Sequence, residues 1–248
     1  MKKYIFITII FCLVNVNVYA NDLTDFDADG VPDYDEINIY YTDANNPDTD
    51  NDGFFDWIEL NSGYSPHNPI AIKLEDSDYD QDGLSDRMEL NFHTNLTNSD
   101  TDGDGYKDGD EIKNGYDPLK GDKAKLSKRI EINTGEKQEL SYFLGDVRMG
   151  TYQVSTGKYR MRTPLGFFKI DSKNRKAWSA KYGLWMPYWM SLQNGYFGIH
   201  ELPEWPNGFK EGEDHLGKAV SHGCIRLGVG PAEFLYNWAE IETPVFIH

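Results

Sequence analysis

A twelve-residue pattern that occurs four times between residues 25 and 111 constrains this chain more than any other feature. Each copy has aspartate at positions 1, 3, 5 and 9, glycine at position 6 and glutamate at position 12, and the copies begin at Asp25, Asp48, Asp78 and Asp100. This is the pattern of a calcium-binding loop. Residues 21–120 carry 27 of the 41 acidic residues of the chain and few apolar ones. We therefore expect this segment to depend on bound Ca²⁺ for its fold.

The spacing fits the coordination chemistry of Ca²⁺, which takes about six to eight oxygen ligands. Alternate aspartates point inward, the glycine permits the turn, position 7 offers its carbonyl, and the glutamate closes the site. The expected ligands are Asp25, Asp27, Asp29, Val31, Asp33 and Glu36; Asp48, Asp50, Asp52, Phe54, Asp56 and Glu59; Asp78, Asp80, Asp82, Leu84, Asp86 and Glu89; and Asp100, Asp102, Asp104, Tyr106, Asp108 and Glu111. A solvated acidic linker is the alternative, but it has no reason to repeat the glycine and the glutamate.

The spacers between the loops favour a repeat array over paired EF-hands. Only about ten residues separate one loop from the next in two of the three cases, which leaves no room for two flanking helices of ordinary length. The spacers share Tyr, Thr, Asp and Pro, as in 64–66 and 116–118. Residues 21–120 resemble thrombospondin type 3 repeats. The resemblance implies an irregular chain wrapped around structural Ca²⁺ ions.

Residues 1–20 have the features of a secretory signal peptide. Two lysines precede a short apolar run, and Val18 and Ala20 stand before a cleavage point at Asn21. A membrane anchor is the alternative, but the run is shorter than the about 20 residues that span a bilayer. We expect export to the periplasm, cell wall or cell surface, with no transmembrane anchor after cleavage. Cys12 would leave with the peptide, so Cys224 becomes the lone thiol.

The remaining sequence indicates a linker over 121–128 and a mainly β domain over 129–248. Apolar residues alternate with polar ones in short segments that glycine and proline interrupt. One helix is expected over 231–241, with Phe234, Leu235, Trp238 and Ile241 on one face. The formal net charge of −17 argues against a nucleic-acid partner.

The candidate chemistry lies between residues 199 and 226. Cys224 is the candidate nucleophile, and a thiol attacks a carbonyl only as the thiolate, so it needs a base or a cation nearby. We expect such a thiol to react at low pH. His200 and His222 are both candidate bases; in an extended segment His222 and Cys224 would share a face. A zinc site at these histidines and Cys224 fits no common ligand spacing.

Ser221-His222-Gly223-Cys224 with an upstream Ile199-His200, a Ser155-Thr156-Gly157 and a Thr163-Pro164 resembles the YkuD-type L,D-transpeptidase catalytic domain. The resemblance implies a β-sandwich or barrel with one or two helices. It makes Cys224 the nucleophile and His200 the base, with no catalytic cofactor. It further implies that His222 and Ser221 shape the site, that amides near Gly223 and Cys224 form the oxyanion hole, and that Arg226 holds a substrate carboxylate.

The implied activity is peptidoglycan crosslinking of the 3–3 type on stem peptides. Water as acceptor would give an L,D-carboxypeptidase, and a lysine of a surface protein would give a tethering enzyme. The competing class is a non-enzymatic, calcium-dependent surface module. The sequence departs from the family pattern at Glu201, where glycine is frequent, and in a long segment between His200 and Ser221, which we expect to form a lid or a cleft wall. The tryptophan-rich segment 178–189 is also expected to line the cleft.

Overall fold

The computed structural model describes residues 24–210 and 212–248, so the expected signal peptide lies outside the described residues. Contacts between Cα atoms divide the chain into two compact units, residues 1–99 and residues 100–248. The first three acidic loops belong to the first unit, and the fourth loop belongs to the second. None of the described helices is long and apolar enough to cross a membrane.

A short helix begins at the position-9 aspartate of each acidic loop, so the last four loop residues lie in its first turn. These helices are α1 (Asp33–Asp35, continued by a π-helical turn at Glu36–Tyr40), α2 (Asp56–Ser62), α3 (Asp86–Phe92) and α4 (Asp108–Asn114). The array is therefore more regular than the expected irregular wrap. The negative first turn suits the helix N-terminus, where unpaired amides favour acidic side chains. Left-handed residues such as Gly63 and Gly115 end two of the helices.

The second unit is built around a closed eight-stranded barrel, which confirms the mainly β fold. The strands are β1 (Lys128–Asn133), β2 (Glu139–Leu144), β3 (Val147–Ser155), β4 (Gly166–Ser179), β5 (Leu184–Leu192), β6 (Phe197–Glu201), β7 (Ile225–Leu227) and β8 (Pro244–Ile247). Their order around the barrel is β1-β2-β3-β7-β6-β5-β4-β8. The β6–β7 and β1–β8 pairs are parallel and the others antiparallel.

Alternation of apolar residues produces the barrel core. Ile130 and Ile132 on β1 and Leu140 on β2 are fully buried, while their neighbours are partly exposed. Strand β6 differs, because all five of its residues are buried. It lies between β5 and β7, so the sheet protects both its edges and a side chain on it is held firmly.

The helix α5 (Pro231–Trp238) packs on β5 and β6 and buries Ala232 and Leu235 in the core. It is shorter than the expected helix over 231–241, and Ile241 is 55% exposed outside it. Segment 121–127, expected as a linker, hydrogen-bonds back to the end of the fourth repeat. Leu126 N–H donates to the Gly115 carbonyl and Asp117 N–H to the Ala124 carbonyl. Lys128 already belongs to β1.

Candidate active site

A cleft of about 640 Å³ in the second unit contains the predicted nucleophile, the predicted base and the predicted cation. Cys224, His200 and Arg226 all line it. They come from two adjacent parallel strands: His200 lies on β6 directly opposite Arg226 on β7, and Cys224 immediately precedes β7. Residues opposite each other on neighbouring strands present their side chains to the same face of the sheet. The topology therefore brings together residues that lie 24 positions apart.

His200 is oriented by a single hydrogen bond. Its ring Nδ1 lies 2.5 Å from the carbonyl oxygen of Glu201. The carbonyl can only accept, so Nδ1 carries the proton and Nε2 is the basic nitrogen. Burial, with the positive charge of Arg226 adding to it, lowers the pKa of His200 to about 3. The imidazole is therefore neutral near pH 7.

Cys224 also rests in its neutral form. Burial raises the pKa of its thiol, while a backbone hydrogen bond from Gly198 and the charge of Arg226 act in the opposite direction. The direction of this pKa shift runs against the expectation of a thiolate that reacts at low pH. Burial disfavours both the thiolate and the imidazolium, so a neutral thiol faces a neutral histidine.

The nucleophile loop is held by two neighbouring motifs. Ser221 Oγ donates to the Cys224 carbonyl at 2.6 Å and accepts from Gly223 N–H at 3.1 Å. Thr163 Oγ1 donates to the Gly223 carbonyl at 3.0 Å and accepts from Gly157 N–H. A Cβ on Gly157 would come within 2.1 Å of the Met161 carbonyl oxygen, so this contact needs glycine. The Gly223 amide, expected in the oxyanion hole, thus donates its hydrogen bond within the loop, to Ser221 Oγ.

His222 lines the same cleft as Cys224, but the segment between them is not extended. Gly223 has a φ of +117°, which breaks the alternation of an extended segment. His222 is exposed, stacks on Tyr182 with 4.8 Å between ring centroids, and has Nε2 at 3.2 Å from Lys158 Nζ. Of the two histidines that the residues alone allowed, His200 is the one whose orientation suits a base.

The segment between His200 and Ser221 contributes a wall of the cleft through Pro203 and Trp205. It is tied to the barrel by an ion pair of Lys210 with Glu201 and by a second pair of Lys176 with Glu204. The expectation for the tryptophan-rich segment holds only in part. Trp189 lines the cleft, whereas Trp178 and Trp185 pack on each other.

Sequence reasoning missed Arg160, Arg162 and Lys181, which line the same cleft. Nothing in the known motif marks these positions. The sequence offered one indication of a cationic site, the alternation of Arg160 and Arg162 in the loop between two predicted strands.

The four acidic loops share one geometry. In each, the amide of the position-6 glycine donates to the position-1 aspartate, as Gly53 does to Asp48 and Gly105 to Asp100. The aspartates at positions 1, 3 and 5 bring one oxygen each within 4.8 Å of one another: Asp25, Asp27 and Asp29; Asp48, Asp50 and Asp52; Asp78, Asp80 and Asp82; Asp100, Asp102 and Asp104.

The position-12 glutamates complete the resemblance to a cation site. Glu111 is 3% exposed, and neither of its carboxylate oxygens accepts a hydrogen bond within the described chain. Burial and the nearby aspartates raise the pKa of Glu111 to about 7 and that of Glu59 to about 8. Buried carboxylate oxygens without donors fit a hard divalent cation.

The position-9 aspartates are engaged differently. Both oxygens of Asp56 accept from Thr49, one from its amide at 2.8 Å and one from its hydroxyl at 2.6 Å. Asp108 receives the same pair of bonds from Thr101. The structure therefore shows these aspartates closing the loop onto its second residue, although they were predicted as ligands.

Comparison with known proteins agrees with the two-part organisation. Residues 127–247 match the family model of the YkuD type, described as the L,D-transpeptidase catalytic domain, and residues 100–121 match the bacterial TSP3 repeat. The YkuD protein of Bacillus subtilis strain 168 is 34% identical over 98 residues, which cover 40% of this chain and 52% of that protein. The YciB protein of the same strain is 30% identical over 129 residues, covering 48% and 66%. Their curated names place both among the L,D-transpeptidases.

The chain thus spans between about half and two thirds of these relatives. Among solved structures, an L,D-transpeptidase from Stackebrandtia nassauensis is 28% identical with a TM-score of 0.41, covering 50% of this chain and 57% of that one. The L,D-transpeptidase LdtMt1 in complex with imipenem is 17% identical with a TM-score of 0.45, covering 50% and 60%. Residues 127–247 belong to the YkuD-type family of L,D-transpeptidase catalytic domains, and a bacterial TSP3 repeat lies upstream of them.

Proposed function

We propose that this protein is an exported cysteine L,D-transpeptidase that forms 3–3 crosslinks between peptidoglycan stem peptides. The observation that carries the proposal is the single cleft that holds Cys224, His200 and Arg226, with His200 oriented by the Glu201 carbonyl. Family membership of residues 127–247 supports the reaction class.

His200 acts as the general base. Because its Nδ1 is occupied by the Glu201 carbonyl, Nε2 takes the proton of the Cys224 thiol as sulfur attacks the carbonyl of the third stem residue. The resting pair is neutral, so this proton moves during the attack and is not transferred beforehand. Nε2 then returns the proton to the departing nitrogen of the terminal D-alanine. A carbon–sulfur bond forms, a carbon–nitrogen bond breaks, and a thioester on Cys224 remains.

The developing oxyanion needs donors that are fixed before the reaction. The amide of Cys224 is assigned this role, because Gly223 N–H is used by Ser221. Arg226 is 8% exposed and carries a permanent charge beside the thiol. It suits the carboxylate of the departing residue, since a guanidinium binds a carboxylate with two parallel hydrogen bonds.

The second half of the reaction passes the acyl group to an amine on a neighbouring stem. His200 removes a proton from this amine, which attacks the thioester and releases the Cys224 thiol. Water or a protein lysine as acceptor would give hydrolysis or protein tethering at the same site, and both are outcomes of the experiment below.

The repeats bind Ca²⁺ as a structural ion in this proposal. The aspartates at positions 1, 3 and 5 and the glutamate at position 12 would hold it, and its charge would offset the repulsion between crowded carboxylates. The features of residues 1–20 support export to the periplasm, cell wall or cell surface.

The test is incubation of the protein lacking residues 1–20 with a disaccharide-tetrapeptide in Ca²⁺, with products read by mass spectrometry. A crosslinked dimer with loss of D-alanine supports the proposal. A tripeptide alone identifies a carboxypeptidase, and a conjugate with an added surface protein identifies tethering. The absence of any product or of any adduct on Cys224 contradicts the proposal, and Cys224→Ala is the control.

A further inference from the structure

We propose that Arg160 and Arg162 form an anion subsite that binds a second carboxylate of the peptide substrate, besides the one that Arg226 holds. This inference rests on the proposed function and adds a substrate preference to it: peptide acids over their amides.

The first observation is the charge of the cleft. Its lining contains Arg160, Arg162, Lys181 and Arg226, and no aspartate or glutamate belongs to the lining within the described residues. The whole chain has 41 acidic and 24 basic residues. The charged side chains of the cleft lining are therefore opposite in sign to the net charge of the chain.

The second observation is that three of these cations, Arg160, Arg162 and Lys181, have no counter-charge among the described residues. Six other lysines and arginines form ion pairs, among them Lys169 with Glu242 and Lys176 with Glu204. Arg160, Arg162 and Lys181 form none with a carboxylate of residues 24–210 or 212–248. Arg162 and Lys181 lie over the rings of Tyr159 and Tyr182, at 5.3 and 5.2 Å from the ring centroids, and these contacts leave their charge uncompensated. Cations that face a concave surface without a counter-charge attract an anionic ligand and raise its local concentration.

The third observation is that the cationic residues lie on two separate loops of the barrel. Arg160 and Arg162 lie between β3 and β4, in the segment whose Gly157 and Thr163 hold the nucleophile loop. Lys181 lies in the turn between β4 and β5, next to the Tyr182 that stacks on His222. The two loops that carry the cations are therefore anchored beside Cys224, at a cleft whose chemistry is carried by β6 and β7.

The ligand group is a carboxylate because the substrate of the proposed reaction is a peptide. A carboxylate matches the planar fork of arginine, and an amide at the same place loses both the charge and half of the acceptors. The donor stem and the acceptor stem can each supply it. Acyl-enzyme formation reports on the donor alone, because no acceptor takes part in that step.

The experiment compares tetrapeptide donors whose non-terminal carboxylates are free with the same donors amidated at those positions. The rate of D-alanine release is measured for the unmodified protein and for Arg160→Gln/Arg162→Gln. Each exposed charge pair contributes a factor of about three to five, so the unmodified protein should favour the acid by roughly tenfold in kcat/KM. The double variant should lose this preference.

A charge reversal provides a second variant. Arg160→Glu/Arg162→Glu should favour the amidated donor, and the preference of the unmodified protein should shrink as salt is added. Arg148→Gln is the matched control, because Arg148 is an exposed arginine of β3 outside the cleft lining. Thermal melting checks that all variants fold.

In a parallel experiment the acceptor peptide is amidated instead of the donor, and the ratio of dimer to tripeptide is measured. A preference that appears only in this ratio assigns the carboxylate to the acceptor stem. Equal rates on acid and amide in both arms, or a preference that survives Arg160→Gln/Arg162→Gln, overturns the subsite. Failure of every peptide to release D-alanine would instead overturn the proposed function.

Discussion

Replacing Lys210 by methionine tests how the segment after His200 supports the active site. Lys210 forms an ion pair with Glu201, whose side chain is 2% exposed, while that of Lys210 is 35% exposed. Glu201 follows His200 directly, and its carbonyl accepts the Nδ1–H of His200. The ion pair therefore anchors the peptide unit that orients the base.

The expected cost follows from the burial of the two partners. Removing one member of a fully buried pair costs about 3–5 kcal/mol, because the other charge stays buried and uncompensated. A fully exposed pair contributes about 0–1 kcal/mol. Lys210 lies between these limits, so we expect a loss of about 2 kcal/mol in the free energy of unfolding. For a unit of this size that is a fall of about 4–8 °C in Tm.

The measurements are urea unfolding and D-alanine release for Lys210→Met, Glu201→Gln and the double variant. We expect the double variant to lose less free energy of unfolding than the two single variants lose together, because the two residues share one interaction. We also expect kcat to fall with little change in KM, since Lys210 does not line the cleft. Lys169→Met is the control, because both partners in its pair with Glu242 are more than half exposed. If Lys210→Met costs no more stability than this control, the reasoning is wrong.

Three further predictions follow from the same structure. Ser221→Ala should lower the free energy of unfolding by about 2–4 kcal/mol, measured by urea unfolding, because it leaves the Gly223 amide and the Cys224 carbonyl without their partner. Alkylation of Cys224 should be slow at neutral pH and still rising at pH 9, because burial raises the thiol pKa above its ordinary value; a plateau at low pH would contradict the neutral pair. Removal of Ca²⁺ by EDTA should expand the protein in small-angle scattering, and calorimetric titration of Glu59→Gln should show one bound ion fewer than the unmodified protein; unchanged dimensions and stoichiometry would count against the repeats as calcium sites.

The acidic loops were predictable because their contacts are local. Most side-chain bonds that shape each loop join residues at most seven positions apart, as between Thr49 and Asp56. A few are longer in range, such as the bond that Ser65 donates to Asp86. A fixed spacing of side-chain types then determines which oxygens converge. The engagement of the position-9 aspartates was not predictable, because the same carboxylate can bind an ion or close the loop, and only the geometry distinguishes these uses.

The meeting of Cys224 and His200 in one cleft was predictable from motif and resemblance, whereas the geometry around them was not. His222 was expected to share a face with Cys224 in an extended segment, and the positive φ of Gly223 shows that the segment is not extended there. The resting protonation of Cys224 also depends on long-range packing, because β6 is buried only after β5 and β7 pair with it. Sequence spacing holds no information on such burial, and burial sets the direction of both pKa shifts.

The distribution of charge explains why net charge is a poor guide to the substrate of this protein. The value of −17 arises mainly from carboxylates gathered into four loops, where each proposed cation site needs several of them. The Debye length at physiological salt is about 8 Å, so exposed charges much farther than this from Cys224 act weakly on a bound peptide. The charged residues that line the cleft are all cationic within the described part of the chain. A chain that repels anions on average can therefore select an anionic peptide, and the salt dependence of acid-over-amide preference measures that local field directly.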